Sequence, residues 1–140
     1  MIAGIDLGGT QVRFAVARSD GRITGQEKAR TAVLGSPHGL AEWAAQAAER
    51  LGARRRLKSV AIGAPGPIDH RRGVLVNPPN LPGWRNVNLT ELLAGALGCP
   101  VYLENDALSG SSTQFLELLS SPVAHTVVKD WFGAARGGQA

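Results

Sequence analysis

The sequence predicts an α/β fold: a mixed sheet with an antiparallel N-terminal meander, flanked by helices. Three observations carry this expectation. Strands are read at 2–6, 11–18 and 22–30, with period-two alternation of apolar residues on either side of the first turn and turn residues between the segments. Two later segments, 36–51 and 88–97, carry apolar residues at helical spacing behind a side chain suited to capping. A short apolar run follows each of them, at 59–64 and 100–103. Strands alternating with helices fold naturally into a sheet with helices packed against it.

In chain order, Ile2, Ala3 and Ile5 lead into Asp6-Leu7-Gly8-Gly9-Thr10, and Val12, Phe14 and Val16 lead out. Alternation on both sides of a double glycine predicts a tight hairpin. Asp20-Gly21 marks the next turn. Ser36 is placed to cap a helix and Pro37 to open its first turn. Leu40, Trp43, Ala44, Ala47, Ala48 and Leu51 form its apolar stripe, and Gly52 is its stop. Trp43 is expected in the core, where truncation to alanine would cost about 3–5 kcal/mol. Residues 52–58 read as a basic loop, and 59–64 as a buried strand that delivers Gly63-Ala64-Pro65-Gly66-Pro67.

A short strand is expected at 73–76, beside Asn77-Pro78-Pro79-Asn80, and Trp84 is expected to pack inside the following loop. Asn88 can cap the second helix, with Glu91 three residues on and Val87 placed to meet Leu92. Its buried face is expected to be Leu89, Leu92, Leu93, Ala96 and Leu97, ending at Gly98. The strand from Pro100 to Leu103 delivers Glu104-Asn105-Asp106. Beyond it, Leu108, Ser112, Phe115 and Leu119 continue a helical face as far as Pro122. The expected division is a domain over 1–122 and a divergent tail or junction over 123–140.

The 140 residues suffice for one substantial core. The formal charge of +4 comes from 15 basic and 11 acidic residues, with basic runs at Arg54-Arg55-Arg56, Lys58 and Arg71-Arg72. No aromatic interleaving or zinc-finger spacing accompanies these runs, so they read as solvated ends of elements and not as a nucleic-acid surface. Cys99 stands alone, which excludes an internal disulfide and suits a reducing, cytoplasmic setting. The chain opens on a strand pattern without a leader-like block, and no stretch has the length and apolarity of a membrane span. His38, His70 and His125 lack the spacing of zinc ligands; His38 is expected to be an exposed first-turn residue.

Three polar segments follow strand ends: 6–10, 63–67 and 104–106. In open α/β sheets ligands favour such ends. Asp6, followed by the amides of Gly8, Gly9 and Thr10, suits a metal–phosphate group, the carboxylate taking the cation and the turn taking phosphate oxygens. The same residues also suit a plain glycine hairpin. Asp106 can cap the helix after it, or act as an oriented base that takes the proton of a sugar hydroxyl attacking a γ-phosphate. Asn105 and Asn80 can hold neighbouring hydroxyls, Asn80 being equally suited to an Asx turn. Gly66, between two prolines, can present backbone groups to a ligand or simply turn the chain. Strand alternation turns Glu104 away from Asp106, so the two are not read as a glycosidase pair.

Four blocks, GIDLGGTQVRFAVARSDGRI at 4–23, AIGAPGPID at 61–69, GVLVNPPNLPGWRNVNL at 73–89 and PVYLENDALSG at 100–110, taken in this order, resemble the N-terminal domain of the ROK family of sugar kinases, repressors and related proteins. The resemblance implies a ribonuclease H-like, actin-like ATPase fold. It implies that Asp6, Gly8, Gly9, Thr10 and Gln11 form the first phosphate motif, binding ATP with Mg held at Asp6. It places the catalytic base at Asp106, and sugar contacts at Gly66, Asn80, Asn105 and Asp106. The implied activity is glucokinase-like: transfer of the γ-phosphoryl of Mg-ATP to the 6-hydroxyl of a hexose such as glucose or an N-acetylhexosamine, in a homo-oligomer. Gln11 stands where lysine is common in the family.

Family kinases are longer. Their second domain brings another glycine-rich loop, an ExGH segment and a CxCGxxGCxE zinc motif, none of which occurs in this sequence. The expectation is therefore a kinase half that is inactive by itself, with a non-catalytic sugar-binding or regulatory module and a dimerising structural remnant as the other readings. Family repressors carry a winged helix before the DLGGT strand, so DNA binding by that route is not expected. WFGAARG at 131–137 resembles the FGAGRG text that follows the Asn-Asp helix in the family, and suggests a disturbed junction.

Overall fold

The computed structural model describes residues 1–18, 23–69 and 71–105. His70, Asp106, His125, the helix face expected over 108–119 and the boundary expected at 122 lie outside them. The hairpin forms as β1 (Ile2–Leu7) and β2 (Gln11–Ala17), and β3 (Ile23–Arg30) completes the antiparallel meander. A single helical turn, α1 (Thr31–Leu34), follows at once and was not expected, being too short to carry a period. Helix α2 (Pro37–Arg50) starts where the sequence places it. The Ser36 side chain accepts a hydrogen bond from the Gly39 amide at 3.1 Å.

Strand β4 (Ser59–Ala64) runs parallel to β1. Three two-residue strands, β5 (Ile68–Asp69), β6 (Val74–Leu75) and β7 (Val87–Asn88), make a small antiparallel sheet of which only the middle strand was legible in the sequence. Helix α3 (Leu89–Leu97) is capped by Asn88, whose side chain accepts from the Glu91 amide at 3.0 Å. It stops at Gly98, held left-handed at φ 73°. Strand β8 (Val101–Asn105) then pairs parallel with β4. The large sheet has the order β3-β2-β1-β4-β8, mixed as expected: antiparallel on the meander side, parallel across β1, β4 and β8.

The pleat sorts the two faces of this sheet. Ala3, Ile5, Leu7, Val12, Phe14, Val16, Val60, Ile62, Ala64, Val101 and Leu103 share one core with Leu40, Ala44, Ala47 and Ala48 of α2 and Leu89, Leu93 and Leu97 of α3. Both helices therefore cover the same face. The alternate residues of the strands, Gly4, Asp6, Arg13, Ala15, Ala61 and Gly63, are in register with one another on the opposite face. Four side chains of the expected helix faces, Trp43, Leu51, Leu92 and Ala96, depart from the expected core. Trp43 is only half-buried, with its ring edge-to-face against Phe14 at a centroid distance of 6.2 Å. Leu92 and Ala96 are likewise half-buried, because that side of α3 faces the groove it forms with Ala41 and Ala45 of α2.

Candidate functional site

The parallel register decides which residues meet at the sheet's end. Asp6 lies opposite Gly63, Gly63 opposite Glu104, and Ala64 opposite Asn105. Two strand spacings put the backbone of Asp6 about 10 Å from that of Glu104. The carboxyl ends of β1, β4 and β8 thus deliver the turn 8–10, the loop 65–67 and the Asn105 position to one edge, as the sequence predicts. The residue between Asp6 and Glu104 in this row is a glycine, Gly63. Asp6 itself is half-buried.

The loop carrying Asn80 reaches the same edge from the small sheet. Leu81 and Trp84 anchor it, at 3% and 5% exposure, so Trp84 packs as expected. The Val76 amide donates to the Pro67 carbonyl at 3.1 Å, and the Asn86 amide to the Val76 carbonyl at 3.0 Å, tying this loop to the Gly66 loop. Its tip lies against the hairpin turn. A Cβ placed on Gly9 would stand 2.8 Å from the Asn80 Cβ and 3.1 Å from the Asn80 carbonyl oxygen. No side chain fits there, so glycine permits the close approach of the two loops. Asn80 is exposed.

In the turn itself one expected donor is already engaged. The Gly8 amide donates to the Gln11 carbonyl at 2.9 Å, closing the hairpin. The amides of Gly9 and Thr10, by contrast, do not enter the turn's backbone hydrogen bonds. The turn is held from below by a residue that sequence reasoning missed. The Thr31 hydroxyl donates to the Gly8 carbonyl at 2.8 Å, and its amide donates to the Thr10 carbonyl at 2.9 Å. Thr31 is 4% exposed and is the one polar side chain buried among the described residues. A threonine at a strand end is unremarkable in sequence; only its position at the head of α1 brings it under the turn.

Gln11 is exposed on β2 and faces Arg30 across the β2–β3 ladder. Among the described residues no group of three or more His, Cys, Asp or Glu side chains is placed to hold a metal ion. The donor set at the turn instead suits a cation carried in with phosphate, needing one carboxylate, Asp6, and the oxygens of its own ligand. Among the described residues no helix is long and apolar enough to cross a membrane.

The chain is similar to the glucokinase of Thermotoga maritima, with 32% identity over 136 residues, 97% of this chain and 38% of that protein. Among solved structures it is similar to the ROK hexokinase of Thermus thermophilus, at 35% identity and a TM-score of 0.66, covering 81% of this chain and 37% of that one. It is also similar to the ROK family glucokinase of Streptomyces griseus in complex with glucose and AMPPNP, at 29% identity and a TM-score of 0.65, covering 81% and 36%. The chain thus spans little more than a third of the length of these relatives. The ROK family model matches residues 2–121, and the chain belongs to the ROK family.

Proposed function

We propose that this chain supplies the nucleotide- and sugar-contacting N-terminal part of an ATP-dependent hexose kinase of the glucokinase type. The observation that carries the reading is the contact of Gly9 with Asn80 beside the end of β1, which sets the hairpin turn and an exposed asparagine side by side. The strand order β3-β2-β1-β4-β8, with an antiparallel meander beside parallel strands, supports assignment to the ribonuclease H-like, actin-like ATPase folds. The glucokinase and hexokinase relatives support the substrate class.

In this reading the amides of Gly9 and Thr10 hold phosphate oxygens, Gly8 shapes the turn, and Gln11 lines it. Asp6 holds Mg, which when bound neutralises phosphate charge. Asn80, Asn105 and the Gly66 loop orient the hexose hydroxyls. Asp106, which directly follows β8, takes the proton of the 6-hydroxyl as it attacks. Glucose or an N-acetylhexosamine is the proposed substrate and a homo-oligomer the proposed assembly.

The test couples ADP formation to a spectroscopic readout with glucose, N-acetylglucosamine and N-acetylmannosamine, beside calorimetric titration of the same sugars. Asp106→Asn is expected to lower kcat by about two orders of magnitude or more while sugar affinity holds. Wild-type turnover by that variant would overturn the base assignment. Failure of the wild type to bind any of these sugars would overturn its sugar-contacting role.

A further inference from the structure

Alternation along β3 separates its charges. Glu27 lies on the helix-covered side, where it holds Arg50 of α2 in a two-pronged ion pair, with nitrogen–oxygen distances of 2.7–3.0 Å. Lys28 and Arg30 lie on the other side, both exposed, and neither is in an ion pair with another described residue. The ladder puts Lys28 opposite Arg13, Arg13 opposite Asp6, and Arg30 opposite Gln11. One face of the meander therefore carries Asp6 with three cations, graded in distance from the turn.

Arg30 is the nearest. It pairs with the first residue after the turn, at a Cβ separation of about 5 Å for directly opposed residues. Its own successor, Thr31, is hydrogen-bonded to both Gly8 and Thr10. Arg13 and Lys28 are one full pleat farther off, about 7 Å along the strands. With the Gly8 amide engaged and Gln11 neutral, the turn itself offers a polyphosphate two amides and no cationic side chain.

Resting on the phosphate reading above, we infer that Arg30 is the cation of the polyphosphate site, reaching across the β2–β3 ladder beside Gln11 to phosphate oxygens held at the Gly9–Thr10 turn. A guanidinium there adds charge-assisted contacts that Gln11 does not provide.

Calorimetric titration of the full chain with Mg-ATP, at two salt concentrations, tests this. Arg30→Gln should weaken Mg-ATP about tenfold, the loss of one charge-assisted contact, and flatten the salt dependence. Lys28→Gln, farther away, should cost less than half as much on a logarithmic scale, and Arg30→Lys should keep most of the affinity. Adding Gln11→Lys to Arg30→Gln moves the charge to the facing position and should recover affinity, which a purely structural role of Arg30 would not allow. Glucose affinity should stay unchanged throughout, and it also reports that the variants are folded. Mg-ATP binding by the wild type with no loss in Arg30→Gln overturns the role of Arg30 and leaves the phosphate site standing. Failure of Gln11→Lys to restore a lost affinity overturns the charge account. Absence of Mg-ATP binding by the wild type overturns the phosphate site and this inference with it.

Discussion

Thr31 directs its hydroxyl and its amide to the two carbonyls that flank Gly9, so one residue sets the height of the turn above the sheet. Nothing in its sequence context reveals this, because its partners lie more than twenty residues earlier and the contact exists only once β3 has paired with β2. Cys99 is the opposite case, since a lone cysteine before a strand reads as a small buried side chain, and it is one. Burial pushes its thiol above the ordinary value of 9.0. The neutral thiol is thus favoured in the folded chain, and its contribution to stability is full below about pH 9 and is lost as pH rises through the folded value. Denaturant midpoints measured from pH 8 to 11 should fall more steeply for the wild type than for Cys99→Ala. Parallel curves would show that the thiol is not linked to unfolding.

Helix ends carry local signals and were read correctly. Ser36 and Asn88 both accept the amide three residues on, as their side chains and spacing require. The two-residue strands β5 and β7 and the single turn α1 were invisible, since none is long enough to display a period and each exists by docking on neighbours already in place. Depth of burial was also beyond a periodicity argument. Trp43 sits on the apolar stripe of α2 but at its margin, so the 3–5 kcal/mol expected for a fully buried Trp overstates its truncation. What it contributes is an edge-to-face contact with Phe14 that fastens α2 to the sheet. A double-mutant cycle of Phe14→Leu and Trp43→Leu, followed by chemical denaturation, should give a coupling of about 0.5–1.5 kcal/mol. Additive losses would mean the rings do not stabilise each other.

At the scale of the molecule, one contact links segments distant in the chain: the hairpin turn at Gly9 against the loop tip at Asn80. Gly9→Ala puts a methyl group into that contact, and since backbone is among the atoms it meets, relief requires one loop to move. The variant should lose about 1–3 kcal/mol in denaturant unfolding and bind sugar more weakly, the two effects arising together. Unchanged stability and sugar affinity would show that the loops do not need each other.

By itself the sequence determined the mixed sheet, the capped helices, the strand ends that carry polar loops and the kinship of the chain, because periodicity, caps and glycine turns are local and survive being read along a line. The folded arrangement decided which of those polar residues are neighbours. Parallel register aligns Asp6, Gly63 and Glu104, the Leu81 and Trp84 anchors carry Asn80 to Gly9, and the β2–β3 ladder sets Arg30 beside Gln11. Each of these depends on pairing and burial between distant segments, which no local pattern encodes.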